Sequence, residues 1–150
     1  MTAPLSGVEA RTVCYEDMSV GQTESFTHCV TDADIAAFAA VSGDYNPIHI
    51  DKEYGANSQF GSCIAHGLYT ASLFSAILGM RLPGPGAIYI GQTLNFKAPV
   101  KPNDELTIEV KVEEKIDRGR RVRLACVARV GETIVLEGEA QVKAVKKPAE

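Results

Sequence analysis

The stretch from Tyr54 to Met80 contains no Asp, Glu, Lys or Arg, although these residues make up 23% of the chain. A helix without charge on any face has no face suited to water, so we predict that 67–80 forms a helix wrapped by the rest of the protein. Spanning a bilayer takes ~20 apolar residues, and this segment is shorter and contains threonine and serine. It is therefore predicted to be a core helix, and no membrane partner is expected.

Composition and charge narrow the class of protein. The 150 residues, 45% of them apolar, can bury a core, and no linker divides them, so we expect one domain. The net charge of −4 gives no support for nucleic-acid binding, and the short basic run at 118–121 is typical of a hairpin tip. Four cysteines without C-x-x-C spacing indicate reduced thiols. Because Met1 to Val13 lack the features of a signal peptide, a cytoplasmic location is expected.

Capping signals delimit the first helix. Residues 22–30 have modest strand character, and Thr31 follows them with Asp34 three residues later. A threonine with an acid at this spacing predicts a helix N-terminus. We expect the helix to end near Ser42-Gly43.

Proline and glycine mark the next boundaries. Pro47 lacks an N–H and disfavours helical angles at the preceding residue, so we predict that 44–49 is a loop that places polar groups. A short helix over 51–58, broken at Gly55, should follow. The segment 83–86, Pro-Gly-Pro-Gly, should end the central helix.

The period of the apolar pattern changes from helical to two after Gly86. Residues 87–96 form a strand candidate, and three further strands should carry apolar residues on one face: Leu106, Ile108, Val110 and Val112; Val122, Leu124, Cys126, Ala128 and Val130; Ile134, Leu136, Ala140 and Val142. Short turns at 117–120 and 131–132 make the sheet largely antiparallel.

These elements predict an α+β fold, in which a curved antiparallel sheet wraps around one long central helix, because only that helix has enough charge-free surface to cover the apolar face. We expect the domain to cover 14–145. Residues 1–13 should form a mobile N-terminal arm, and 146–150 a solvated tail.

Asp44 and His49 are the candidate catalytic residues. They lie five positions apart across a proline-containing turn, and a carboxylate with an imidazole can hold and deprotonate a water molecule. On spacing alone, Asp44 could equally cap the turn and His49 could be a structural donor. Gly67 begins the predicted helix, and its N–H, at the positive end of the dipole, could hold an oxygen that gains negative charge.

The remaining polar candidates have ordinary structural explanations. His66 is expected to make a side-chain hydrogen bond or to pack, and Ser75 could bond a carbonyl one turn earlier. A metal site built from Asp44, His49, Asp51 and His66 lacks any spacing signature such as H-E-x-x-H, so no metal is expected.

Several segments together strongly resemble the MaoC-like (R)-specific enoyl-CoA hydratases. The resemblance is carried by Ser42-Gly43-Asp44-Tyr45-Asn46-Pro47-Ile48-His49-Ile50-Asp51, Phe60, Ile64-Ala65-His66-Gly67, Ala71-Ser72-Leu73-Phe74-Ser75 and Tyr89-Ile90-Gly91-Gln92-Thr93-Leu94-Asn95-Phe96. It implies a hot-dog fold, a homodimer with active sites at the subunit interface, and hydration of trans-2-enoyl-CoA to (R)-3-hydroxyacyl-CoA. The coenzyme A thioester is then the substrate carrier, and no cofactor is expected.

The resemblance also implies residue roles. Asp44 and His49 match the catalytic pair, Gly67 matches the N–H that holds the thioester oxygen, and Ser75 matches a supporting hydroxyl. Asn46 and His66 lie in the same motifs, and we assign them supporting roles.

A buried helix leaves room for an acyl chain beside it, so we predict an acyl pocket lined by Leu68, Ala71 and Leu78, for short to medium chains. Fatty-acid oxidation and polyhydroxyalkanoate precursor supply are both compatible pathways. Three alternatives remain: a (3R)-hydroxyacyl-acyl-carrier-protein dehydratase, a non-catalytic hot-dog subunit that binds acyl thioesters, and a hot-dog thioesterase.

Overall fold

The computed structural model describes residues 8–149, and these residues contain one antiparallel sheet around one long helix. The strands are β1 (Thr23–Cys29), β2 (Ile88–Gln92), β3 (Asn95–Phe96), β4 (Glu105–Ile116), β5 (Arg121–Val130) and β6 (Thr133–Lys143). The helices are α1 (Asp32–Ser42), α2 (Pro47–Ile50), α3 (Lys52–Ala56) and α4 (Gly67–Met80). The strand order is β1-β4-β5-β6-β2, and β3 also pairs with β6. The predicted α+β fold is confirmed.

The core lies between α4 and the apolar face of the sheet. Every predicted inward residue of β4 is fully buried, and on β5 only Val130 is partly exposed. Phe74 and Ile77 of α4 are also fully buried, and α4 contacts β1, β4 and β6. Each such side chain stabilises the fold by about 1.5–3 kcal/mol, so this layer holds α4 in place.

Two strands depart from the predicted pattern. The strand predicted over 87–96 is divided into β2 and β3, and β2 contains a register shift between Tyr89 and Gly91. In β6 the register shifts opposite Ala128 and Arg129, which turns Val135 inward in addition to Leu136. A bulge adds one residue to a strand, so simple alternation cannot predict it.

Helix α4 is confirmed between the predicted ends, but in one chain it is not buried on every face. Leu68 is 59% exposed, and Ser72, Ser75 and Gly79 are exposed as well. These positions follow one another at helical spacing and form a single stripe without charge. The prediction of burial on all sides is therefore wrong for the single chain. No helix in the range 8–149 combines the length and the hydropathy that crossing a bilayer requires.

The turn predicted over 44–49 is partly helical. Helix α1 ends as expected, with Gly43 in the left-handed region at φ 80°. Pro47 then begins α2, which carries His49, so the prediction that a loop places His49 is wrong. Proline is well suited to the first helical position, because that N–H has no internal partner and the ring presets φ.

Gly55 does not break the helix that follows. It lies inside α3, where a Cβ atom would sit 2.4 Å from the backbone nitrogen of Cys63. Glycine at this position therefore permits close packing of two backbone segments.

The predicted N-terminal arm is wrong for residues 8–13. Val8 is buried, Arg11 N–H donates to the Met80 carbonyl at 2.8 Å, and Val13 N–H donates to the Pro83 carbonyl at 2.7 Å. These contacts attach the segment to the end of α4. Residues 1–7 and 150 lie outside the described part of the chain. In the predicted tail, residues 146–149 are exposed, and Lys147 forms an ion pair with Asp17.

Candidate active site

The end of α1 holds the Asp44 side chain through short local hydrogen bonds. Asp44 N–H donates to Ser42 Oγ at 3.1 Å, and the Ser42 hydroxyl donates to the Phe38 carbonyl. Asp44 Oδ1 accepts the Asn46 N–H at 3.1 Å. One carboxylate oxygen is thus used to fix the side chain, and Oδ2 is left for other chemistry.

Helix α2 positions His49. Asn46 caps this helix, since its side-chain oxygen accepts the Ile48 N–H at 3.2 Å. The His49 Nδ1 lies 2.7 Å from the Ile64 carbonyl oxygen. A carbonyl only accepts, so Nδ1–H donates to it, and the neutral ring presents the lone pair of Nε2.

His49 Nε2 and Asp44 Oδ2 face each other at 3.9 Å. This separation exceeds a direct hydrogen bond, but one water molecule can contact both atoms. The His49 side chain is 11% exposed and that of Asp44 51% exposed, so the pair is open to solvent on the carboxylate side. Both atoms can accept a proton from that water molecule.

His66 links the two candidate catalytic residues. It is only 2% exposed, and its Nε2–H donates to the Asp44 carbonyl at 2.9 Å. Its ring stacks on the His49 ring with centroids 3.9 Å apart. These contacts make His66 a structural donor to Asp44 and a packing surface for His49, and its supporting role in catalysis stays a prediction.

A cavity of about 550 Å³ contains the pair and the start of α4. Its lining is mostly apolar and consists of Phe38, Ser42, Asp44, His49, Ile64, Ala65, His66, Gly67, Leu68, Phe96 and Pro99. Ligand sites of proteins commonly combine apolar walls with a few convergent polar groups.

The start of α4 contributes the free N–H of Gly67 to this cavity. His66 is the N-cap residue, but its side chain makes no capping hydrogen bond. The N–H groups of Tyr69 and Thr70 donate to the His66 carbonyl, whereas within the described chain no acceptor is bonded to the N–H of Gly67. A free N–H at the positive end of a helix suits an oxygen that becomes negative.

The comparison with known proteins assigns a family. A family model described as a MaoC like domain matches residues 16–135. The chain belongs to the MaoC-like family. This confirms the resemblance carried by the sequence motifs.

Relatives of this MaoC-like protein share most of its length. It is 52% identical over 139 residues to a 3-hydroxybutyryl-CoA dehydratase of Methylorubrum extorquens, covering 93% of this chain and 88% of that protein. It is 41% identical to an (R)-specific enoyl-CoA hydratase of Rhodospirillum rubrum, covering 85% and 89%. The solved structure of the R-hydratase PhaJ1 from Pseudomonas aeruginosa superposes with a TM-score of 0.88, at 41% identity and 94% coverage of both chains. The hot-dog fold is confirmed.

The structure brings together some of the predicted site residues of this MaoC-like chain. One cavity is lined by Asp44, His49, His66, Gly67 and Leu68. Asn46 lies outside this lining, and its N–H fixes the Asp44 side chain by donating to Oδ1. Ser75 does not reach this cavity within one chain. It lies two turns further along α4, where Ser75 and Leu78 line a separate cavity of about 100 Å³ together with Gly79, Ala87, Tyr89 and Val142.

The predicted acyl pocket is divided in the same way. Leu68 lies in the larger cavity, Leu78 is buried at the smaller one, and Ala71 is partly buried between them. The positions 68, 71, 75 and 78 follow one another at helical spacing along α4, from the larger cavity to the smaller one. Their acyl-binding role stays a prediction.

Six cavity residues were not predicted as site residues: Phe38, Ser42, Ile64, Ala65, Phe96 and Pro99. Ser42 Oγ holds the Asp44 backbone, and the Phe96 ring lies against Gly67. Ser42 and Phe96 belong to the segments that carry the family resemblance, but their contacts are visible only in the three-dimensional structure.

A shared metal ion does not suit the geometry of the histidine pair. One ligand atom each of Asp44, His49 and His66 lies within 4.8 Å of the others. However, a nitrogen lone pair lies in its ring plane, and these two planes are stacked 3.9 Å apart with a tilt of only 27°. Both lone pairs therefore cannot point at one ion at the ~2.0–2.1 Å distance that a zinc ligand requires.

Proposed function

We propose that this MaoC-like protein catalyses the reversible hydration of trans-2-enoyl-CoA to (R)-3-hydroxyacyl-CoA. The observation that carries the proposal is the shared cavity, in which Asp44 Oδ2 and His49 Nε2 lie 3.9 Å apart and whose wall also includes Gly67. The relatives described above are named for the same reaction or its reverse.

Hydration adds the oxygen of water to C3 and a proton to C2 of the enoyl thioester. As the water oxygen bonds to C3, one of its protons moves to Asp44 or His49, and the electron pair of the double bond moves onto the thioester oxygen. The proton then moves to C2 while the electron pair returns. Positioned acid–base groups typically contribute ~10²–10⁴-fold to such a step.

Gly67 stabilises the enolate in this scheme. The thioester oxygen gains negative charge when water adds, and a backbone donor aimed at such an oxygen is typically worth ~2.7–4 kcal/mol. Besides the enoyl thioester, the reaction consumes only water, so the residues described need no cofactor. Coenzyme A serves as the carrier of the acyl group.

The acyl chain is proposed to run along α4 from Leu68 past Ala71 toward Leu78. Ser75 lies eight residues beyond Gly67, which at ~1.5 Å per residue is about 12 Å along the helix. A short chain therefore ends near Leu68, and only a medium chain reaches the smaller cavity at Ser75 and Leu78. This supports a preference for short to medium chains.

We further propose that the working protein is a homodimer. Leu68, Ser72, Ser75 and Gly79 form an exposed stripe of α4 that is free of charge. Strand β2, at one edge of the sheet, exposes Ile88, Tyr89 and Ile90. An apolar edge strand with unpaired backbone groups is suited to pairing with a second copy. Sedimentation analysis should give twice the mass of one chain, and the mass of a single chain would contradict this proposal.

A cytoplasmic role is proposed from the four free cysteines and the nature of the substrate. The reaction would serve fatty-acid oxidation or the supply of precursors for polyhydroxyalkanoate. Fractionation of cells that express the tagged protein should place it in the cytoplasm.

The direct test follows the absorbance of the conjugated enoyl group of crotonyl-CoA. We expect this absorbance to fall and chiral analysis to find (R)-3-hydroxybutyryl-CoA. Release of free coenzyme A thiol would instead indicate a thioesterase. In a second arm, the same acyl group is presented on acyl carrier protein, and a higher kcat/KM there would indicate a dehydratase of fatty-acid synthesis.

A further inference from the structure

Glycine at position 67 is explained by a neighbouring side chain. A Cβ atom at Gly67 would lie 2.6 Å from Cε1 and 2.8 Å from Cδ1 of the Phe96 ring. Gly67 is not among the glycines with positive φ, so its backbone conformation would accept alanine. A methyl group at this position and the Phe96 ring in its present place therefore cannot coexist, so one of them must shift.

Phe96 is placed as a wall of the catalytic cavity rather than as a core residue. It lies on the two-residue strand β3, which pairs with β6 at only two positions. Its side chain lines the same cavity as Asp44 and His49, and the residue is 54% exposed. An aromatic ring with this exposure contributes little to the core and is free to contact a ligand.

We propose that Phe96 is a substrate-contacting residue that covers the N-terminal end of α4. The thioester then binds in a slot between this ring and the Asp44–His49 pair. The inference rests on the proposed hydratase function. The ring excludes water from the hydrogen bond between Gly67 N–H and the thioester oxygen. A donor acts more strongly on developing charge in a water-excluded site than in bulk water.

The role is distinct from that of the acyl pocket. Phe96 meets the thioester, which all substrates share, whereas Leu78 lies where only longer chains reach. Truncation of Phe96 should therefore lower kcat to a similar degree for every chain length. A change in chain-length preference alone would overturn this assignment.

A double-mutant cycle on Gly67 and Phe96 tests the contact and the role together. In Gly67→Ala the methyl group pushes the ring into the slot, and we expect kcat to fall ~10²-fold or more, as when an oxyanion donor is lost. Phe96→Ala should lower kcat roughly tenfold through entry of water, and Phe96→Leu should retain most of the activity. The double variant should recover to the level of Phe96→Ala.

The matched control is Val20→Ala, which also shortens an exposed apolar side chain but lies outside the cavity. It should leave the parent activity unchanged and should not rescue Gly67→Ala. Parent-like activity of Phe96→Ala, or a double variant as inactive as Gly67→Ala alone, would overturn the proposal.

Two further readouts separate this inference from the proposed function. The thermal midpoint should fall on Gly67→Ala in the parent but not in the Phe96→Ala background, whatever reaction the protein catalyses. Calorimetry with butyryl-CoA, a saturated thioester, should show weaker binding to Phe96→Ala than to the parent. If the parent does not hydrate crotonyl-CoA, the proposed function fails. The role of Phe96 would be overturned if Gly67→Ala lowered the thermal midpoint equally in both backgrounds, or if the parent and Phe96→Ala bound butyryl-CoA with equal affinity.

Discussion

The His66 ring stacks on the His49 ring with centroids 3.9 Å apart and planes 27° from parallel. The same His66 side chain donates through Nε2–H to the Asp44 carbonyl at 2.9 Å. One buried residue therefore holds the helix that carries the imidazole and the loop that carries the carboxylate.

Substitutions at His66 should separate these two contacts. His66→Phe keeps a ring for stacking but leaves the Asp44 carbonyl without its donor, and a typical hydrogen bond contributes about 0.5–1.5 kcal/mol. His66→Gln keeps a donor without the ring. We expect each variant to lower kcat with a small change in KM, and His66→Ala to lower it more than either. Steady-state kinetics with crotonyl-CoA measures this, and a parent-like kcat in His66→Phe or in His66→Gln would show that the contact removed in that variant does not matter.

Asn46 should act through the cap of α2. Asn46→Ala removes the side-chain acceptor for the Ile48 N–H but keeps the backbone donor to Asp44, and loss of an N-cap typically costs about 0.5–2 kcal/mol. Because α2 carries His49, kcat should fall along with the urea midpoint. Asn46→Ser, which restores a capping oxygen without adding charge, is the control and should stay near the parent. A normal kcat in Asn46→Ala would rule out this positioning role.

Leu78 and Leu68 should differ in their effect on stability. Leu78 is 2% exposed, so Leu78→Ala should lower the free energy of unfolding by about 2–5 kcal/mol. It also enlarges the smaller cavity, so kcat/KM should shift toward longer acyl chains. Leu68→Ala, at an exposed position, should barely change stability and should lower kcat/KM even for crotonyl-CoA. An unchanged chain-length profile in a folded Leu78→Ala variant would count against the proposed path of the acyl chain.

The hydrogen bond between His28 Nε2 and Asp34 Oδ2, at 2.8 Å, should make stability depend on pH. Burial raises the pKa of Asp34, but hydrogen bonds from Thr31 and the His28 ring outweigh it and hold the pKa below its ordinary value. A lowered pKa in the folded state stabilises the protein above the unfolded-state pKa of ~3.9, and the stabilisation disappears as pH falls through the folded value. Urea midpoints of the parent and Asp34→Asn should differ most near neutral pH and converge in acid. A constant difference would contradict this linkage.

Local patterns predicted much of the fold, because they depend on neighbours in sequence. The Thr31–Asp34 capping box and the end of α1 at Gly43 are both as expected. The alternation in β4 predicted its buried face because one side of a strand packs on the core. The Asp44–His49 pair could also be predicted, because both residues belong to one short motif. The structure places them in one cavity.

Other features depend on contacts that sequence spacing does not reveal. The Ile64 carbonyl fixes the His49 ring through a backbone atom, which carries no residue signature. The ring of Phe96 reaches Gly67 across the fold from a separate strand. The exposed stripe on α4 was predicted to be buried because it carries no charge. Absence of charge does not tell burial within one chain from burial against a second chain.

Single-turnover hydration of crotonyl-CoA by Asp44→Asn and His49→Gln, beside the parent, tests the central claim most directly. Asp44→Asn removes the proton acceptor and keeps the shape of the side chain, whereas His49→Gln removes the acceptor together with the ring. We expect the rate of the chemical step to fall by ~10²–10⁴-fold in each, with unaltered thermal unfolding in Asp44→Asn, and the double variant to be little worse than the single ones. Either variant hydrating crotonyl-CoA at the parent rate would contradict a shared role of Asp44 and His49 in moving the proton of water.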